Sequence, residues 1–178
     1  MAKVDISDFT KKIDALVEAH SHLPAEVATI AVNFSKERFR EQAWLDKTKT
    51  AWKPRKNNRS GGKKKSQTLL VNTGRLKRSI RKISATPDAV IIGTDVPYAK
   101  IHNEGGIINE NVAVKQHDKK SFTRKRKGRK ETVKAHTIKS HIRKLNIKVP
   151  ARPFIGNSYT LEKRILLHIK ARFVRALK

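Results

Sequence analysis

The chain has 178 residues, 37% of them hydrophobic and 32% charged, and its 42 lysines and arginines against 15 carboxylates give a formal net charge of +27. It has no cysteine, which excludes disulfides, thiol nucleophiles and cysteine-bound zinc. The N-terminus MAKVDISDFTKK has no apolar signal-peptide core and no apolar run nears the roughly 18 to 20 residues of a membrane span, so a soluble protein without a membrane partner, made in the cytoplasm, is expected.

The length predicts one domain, 1–178, with a buried core, and the low apolar content requires solvated or partner-covered arms beside it. The charge is unevenly placed. Residues 1–46 carry 6 basic and 8 acidic side chains, a net of −2, and the rest of the chain carries +29. A field of one sign that large repels itself unless nucleic acid or an acidic protein surface neutralises it.

Residues 1–46 read as two helices. Ile6, Phe9, Ile13, Leu16 and Val17 recur at helical spacing with Asp5 or Ser7 as cap, and a break over His20–Pro24 leads into a second helix through Val27, Ile30, Ala31, Phe34 and Phe39 to about Trp44. His20 and His22 sit two residues apart and share no helix face, so they are not read as a metal site. Residues 47–68 form a basic arm, KTKTAWKPRKNNRSGGKKKSQT, without apolar periodicity, and loops this long are usually functional or disordered. A lone tryptophan there, Trp52, is an anchor on the core or a stacking platform for a base. The anchor is favoured, because no second aromatic continues a track.

Residues 69–156 hold the predicted sheet. Thr73 is placed to cap a helical turn in which Leu76, Ile80 and Ile83 share one side, running into a strand over 79–85. Thr86, Pro87 and Asp88 supply turn chemistry, and Ala89–Ile92, closed by Gly93, reads as a central strand buried on both faces. Tyr98–Asn103 reads as a short helical turn ended by Gly105 and Gly106. Residues 107–116 and 132–149, with an irregular middle near His141, form two arms of a long projecting hairpin flanked by the fragments VKQH and VKAH. Its basic tip spans 118–131. After PARPFIG, Asn157 or Ser158 caps a last helix over 157–178, with Leu161, Ile165, Leu166, Ile169, Phe173, Val174 and Leu177 on one broad face. The fold class is therefore α+β: N-terminal helices, an antiparallel sheet of about four strands, and a C-terminal helix packed on it.

The ordered set TGRLKRSI, strand pair, YAKIHNEGG and PARPFIG resembles the phage virion morphogenesis family, tail-completion proteins similar to the G protein of phage Mu. The resemblance implies a structural virion subunit at the tail or neck that closes with copies of itself into a ring, a hexamer, around the DNA channel and contacts neighbouring neck or tail proteins. It implies that Trp52, Thr73, Gly74, Leu76, Tyr98, Ala99, His102, Gly105, Arg152, Pro153 and Phe154 shape the fold and its ring contacts. Lys63, Lys64 and Lys65 of the arm, and Arg124, Lys125, Arg126, Lys127, Arg129 and Lys130 of the tip, are expected to meet DNA non-specifically or an acidic surface; for the tip this comes from charge and not from the motif set.

No catalytic, cofactor or metal site is expected. Carboxylates are scarce beyond residue 46, and none forms a metal-binding or paired acid–base spacing. His102 with Glu104 invites a nuclease reading, but His102 lies four residues after Tyr98, where the two rings brace one turn. No small-molecule substrate is expected either. The competing class is a monomeric nucleic-acid-binding protein of ribosomal or nucleoid type.

Overall fold

A computed structural model describes residues 6–55, 68–126 and 128–178. The chain divides into two compact units, Met1–Gly105 with Pro150–Lys178, and Gly106–Val149. The first begins with a single helix, α1 (Ser7–Glu41), where two were expected. Pro24 lies inside it without ending it. A mid-helix proline removes one donor and crowds the carbonyl four residues earlier. Here buried residues lie on both sides of the proline, Ala19 and Leu23 before it and Ala28, Ala31 and Phe34 after it, so packing outweighs the local cost. Ile6, and not Ser7, occupies the cap position, and Asp5 falls outside the described residues.

The helix stops at Gln42, in the left-handed region at φ 54° that glycine usually fills. Its side chain offsets the strain by binding both ways: Oε1 accepts from the Leu69 N–H at 2.6 Å, and Nε2 donates to the Phe39 carbonyl. A tight hairpin follows, β1 (Ala43–Leu45) on β2 (Lys49–Ala51). Next come α2 (Arg75–Ser79), the hairpin of β3 (Arg81–Ala85) with β4 (Val90–Gly93), and α3 (Ala99–Glu104). Thr86 closes the β3–β4 turn, its N–H donating to the Ala89 carbonyl at 2.9 Å and its Oγ1 accepting from the Ala89 N–H at 3.1 Å. The strand β4 is not buried on both faces: Ile91 is exposed, as is Ile83 on β3, because these two strands form a ladder of their own.

The last helix, α4 (Tyr159–Ala176), is capped by Ser158, whose Oγ accepts from the Leu161 N–H at 3.3 Å and donates to the Leu45 carbonyl at 2.7 Å. It runs antiparallel to α1, clasped by Arg164 on Glu37 at 2.9 Å, with His168 on Glu26 at 2.8 Å and Arg172 on Glu26 at 3.5 Å. The core joins α1, the segment after β2, α2, α3 and the residues before α4, and consists of Phe39, Trp52, Leu76, Ile80, Val96, Ala99 and Phe154.

The second unit is one long hairpin in three successive antiparallel ladders: β5 (Gly106–Val114) with β10 (His141–Val149), β6 (His117–Lys119) with β9 (His136–Ile138), and β7 (Phe122–Arg126) with β8 (Arg129–Val133). The expected four-stranded sheet is thus replaced by five two-stranded ladders among the described residues. Register places Ile108, Val112 and Val114 on the same face of β5–β10 as Leu145, Ile147 and Val149. At the breaks between ladders a Lys-x-His sequence recurs, with Nδ1 of His117, His136 and His141 each 3.0 Å from the carbonyl of the lysine two residues before it.

Gly74 precedes α2 at φ +74°, so it occupies the cap position expected of Thr73, whose Oγ1 lies 3.4 Å from the Arg75 N–H. A side chain there is strained by the backbone itself. Its Cβ would lie 2.9 Å from Arg78 Nη1, the mobile end of a long side chain, so the steric cost is the smaller part. Gly74→Val is expected to destabilise the protein by about 1 to 2 kcal/mol in denaturant unfolding, and an unchanged midpoint would refute the assignment.

Candidate functional site

The motif residues are scattered along the sequence, yet most of them meet in the larger unit. Trp52 follows β2 and is buried; its ring stands edge-on to Phe39 with centroids 5.6 Å apart, and its indole N–H donates to the Pro153 carbonyl at 3.0 Å. Phe39 also meets Phe154, at 5.0 Å. Leu76 and Ala99 close the same core from α2 and α3. Ile83, expected beside Leu76 and Ile80, instead points away from burial, since the chain has passed from helix to strand by that position.

Around this core lies a polar frame. Arg152 directs Nε and Nη2 to the Lys53 carbonyl, at 3.1 and 2.9 Å, and its backbone N–H donates to the His102 carbonyl at 2.9 Å. His102 meets Tyr98 edge-on with centroids 5.9 Å apart, so the two rings brace the turn. Gly105 ends α3 at φ +77°, its N–H reaching the Ile101 carbonyl at 3.0 Å. Together Arg55, Thr73, Gly74, Tyr98, His102 and Arg152 line part of a cleft of about 330 Å³. Burial, and after it the Arg152 charge, hold the His102 imidazolium below its ordinary pKa, and burial with nearby Arg55 lowers that of Arg152.

Three residues that sequence reasoning did not single out are central to the frame. Asn103 Oδ1 accepts from the Phe154 and Ile155 N–H groups at 2.9 and 3.1 Å, while its Nδ2 donates to the Ile155 carbonyl at 3.0 Å. Asp46 Oδ1 accepts from the Tyr159 N–H at 2.7 Å. Arg38 is fully buried, stacked 4.4 Å over the Phe34 ring and paired with Glu37 and Glu41. Asn103 lies within the quoted motif, and an asparagine two residues before a glycine pair is a turn signal; neither Asp46 nor Arg38 carries a local one.

The basic tip belongs to the other unit. Arg124 pairs with Glu131 at 3.0 Å, Lys125 and Lys130 face one another across the β7–β8 register, and Lys119 Nζ lies 4.3 Å over the Phe122 ring. Lys125, Arg129 and Lys130 are exposed. Arg126 is paired with Arg129 through the backbone register, and Lys63, Lys64, Lys65 and Lys127 lie outside the described residues. Among the described residues, no group of three or more His, Cys, Asp or Glu is placed to hold a metal, and no helix is long and apolar enough to cross a membrane.

The model of the phage virion morphogenesis family matches residues 4–173, so the chain belongs to that family and has a role in building the phage virion. No curated protein and no solved structure shows significant similarity to it.

Trp52→Phe keeps most of the buried ring but leaves the Pro153 carbonyl without its donor, and is expected to cost about 1 to 3 kcal/mol in chemical unfolding. A loss near zero would show that the indole N–H is dispensable. His102 gives a pH signature. Its depressed folded pKa means that the unfolded chain takes up the proton first, so its contribution is full above its ordinary pKa of 6.5 and shrinks as pH falls toward the lower folded value. His102→Gln should reduce the loss of thermal stability between pH 7 and 5; an identical pH dependence in both proteins would rule this out.

Proposed function

We propose that this member of the phage virion morphogenesis family is a tail-completion or head–tail joining subunit, structural and without catalytic activity, that closes head-to-tail into a ring around the DNA channel. The observation that carries self-association is a pair of uncovered apolar faces in the larger unit. At the start of α1, the cap residue Ile6 and then Phe9, Ile13 and Val17 recur along one face and are 42% to 67% exposed. On α4, the face turned away from α1 carries Tyr159, Leu166, Leu167, Val174 and Leu177, 48% to 57% exposed. Apolar stripes of this kind mark interaction surfaces.

Charge suggests how they meet. Asp14 and Glu18 border one edge of the α1 stripe and Lys12 the other, whereas Lys163 and Lys170 lie among the apolar residues of the outer face of α4. Two α4 faces, each carrying these lysines, would repel one another, whereas the α1 face with its bordering carboxylates would attract them. A contact between two different patches is heterologous, and such contacts generate closed rings when the rotation closes. A hexamer at the tail or neck of the virion, touching neighbouring neck or tail proteins, is the form the family resemblance favours. The exposed tip lysines and arginines suit non-specific phosphate contact in such a channel.

The absence of cysteine makes a direct test simple. Ile13→Cys protein mixed with Leu166→Cys or Val174→Cys protein should cross-link under mild oxidation, and each variant alone should not. Wild-type protein should form rings in negative-stain images. A monomer that binds DNA or RNA tightly would favour the ribosomal or nucleoid-type alternative, and Ile13→Cys protein cross-linking to itself would exclude the head-to-tail contact. Replacing Arg124, Lys125, Arg126, Lys127, Arg129 and Lys130 with Ser should leave assembly intact and flatten the salt dependence of duplex binding, whose slope is about 0.9 per phosphate neutralised. Collapse of assembly with unchanged DNA affinity would instead place a protein surface on the tip.

A further inference from the structure

We infer that the cleft lined by Arg55, Thr73, Gly74, Arg75, His102 and Arg152 is a receptor for a carboxylate side chain presented by a neighbouring protein chain. Residues of three motif segments, at 73–76, 98–102 and 152, line the cleft. Arg152 is 7% exposed, and its partners are neutral: the Lys53 carbonyl takes both Nε and Nη2. Among the described residues, no carboxylate lies within ion-pair distance of Arg55, Arg75 or Arg152. A buried guanidinium ordinarily has a counter-charge, and here two more cations line the same space.

A second observation is independent of charge. Nδ1 of His102 is buried and has no hydrogen-bond partner. Such an atom is rare in a folded protein; with no surface of its own open to the cleft that the ring lines, it can meet an acceptor bound there once the ring turns, with Nδ1 carrying the proton. The cleft also has an apolar side, formed by Leu69, Leu70, Val71 and Leu76, suited to the methylene stem of an acidic residue.

A carboxylate fits better than a nucleic-acid phosphate. Duplex phosphates are fixed to a stiff backbone and reach exposed cations such as those of the hairpin tip, whereas Arg152 is accessible only to a slender group entering the cleft. A planar carboxylate also matches the fork of a guanidinium in two parallel hydrogen bonds. The cleft would take its ligand whether or not the subunits close a ring, because every residue named comes from one chain.

The probe is N-acetylglutamate amide, with a single side-chain carboxylate, titrated at constant ionic strength into full-length protein labelled at histidine. Its NMR signals are assigned to His102 by their loss in His102→Gln. The His102 resonances should shift saturably, those of His117, His136 and His141 should not, and Arg55→Gln/Arg75→Gln, at two exposed positions, should weaken the response at least tenfold with an unchanged circular dichroism spectrum. Failure of His102 to shift, equal shifts at all histidines, or undiminished binding by the double variant would overturn the assignment. Saturation by inorganic phosphate without any response to the glutamate derivative would also overturn it, in favour of a phosphate site.

Discussion

Trp52 and Pro153 are separated by 101 positions in the chain, and the hydrogen bond between them closes the larger unit. The indole is suited to both halves of that task, since its rings fill the space beside Phe39 while its one donor reaches a carbonyl that a proline-containing turn leaves without a regular partner. Because Phe39 also meets Phe154, the end of α1, the segment after β2 and the turn before α4 share one aromatic cluster. Elements too short to stand alone, such as the five-residue α2 and the six-residue α3, keep their conformations by packing on it.

Polar groups then fix the geometry that the aromatics permit. The side-chain amide of Asn103 acts as a piece of backbone, pairing with the Phe154–Ile155 segment much as a strand would. Arg152 does the same for the loop at Lys53. Such bonds are worth about 1 kcal/mol each when made and more when one partner is deleted and the other stays buried, so the frame specifies the structure more than it stabilises it.

Much of this was legible in sequence. The α+β class, the β3–β4 hairpin, the short turn over 99–104 and the Ser158 cap were signalled by local chemistry: alternation, a Thr-Pro-Asp turn, paired glycines and a serine before an apolar run. What failed did so where tertiary packing overrides local preference. Pro24 and the histidines around it read as a break, because nothing local reveals that Leu23 and Ala28, on either side of the proline, are both buried. A single continuous sheet was expected because strand propensity says nothing about which ladders share an edge. The polar frame was only partly visible, since Asn103, Asp46 and Arg38 act across distances or through burial that residue spacing does not encode.

The long hairpin has a kinetic consequence. Gly106 is paired directly with Val149, so the ends of a 44-residue excursion are held side by side by the first pair of the β5–β10 ladder. Without that pairing, bringing Asn103 to Phe154 would require closing a loop of about fifty residues, an entropic cost that grows with the logarithm of loop length. Zippering from the Gly128 turn downward replaces that search with a series of local steps, each adding pairs next to those already formed. A hairpin exposed along most of its described length therefore shortens the diffusive path by which the buried core assembles.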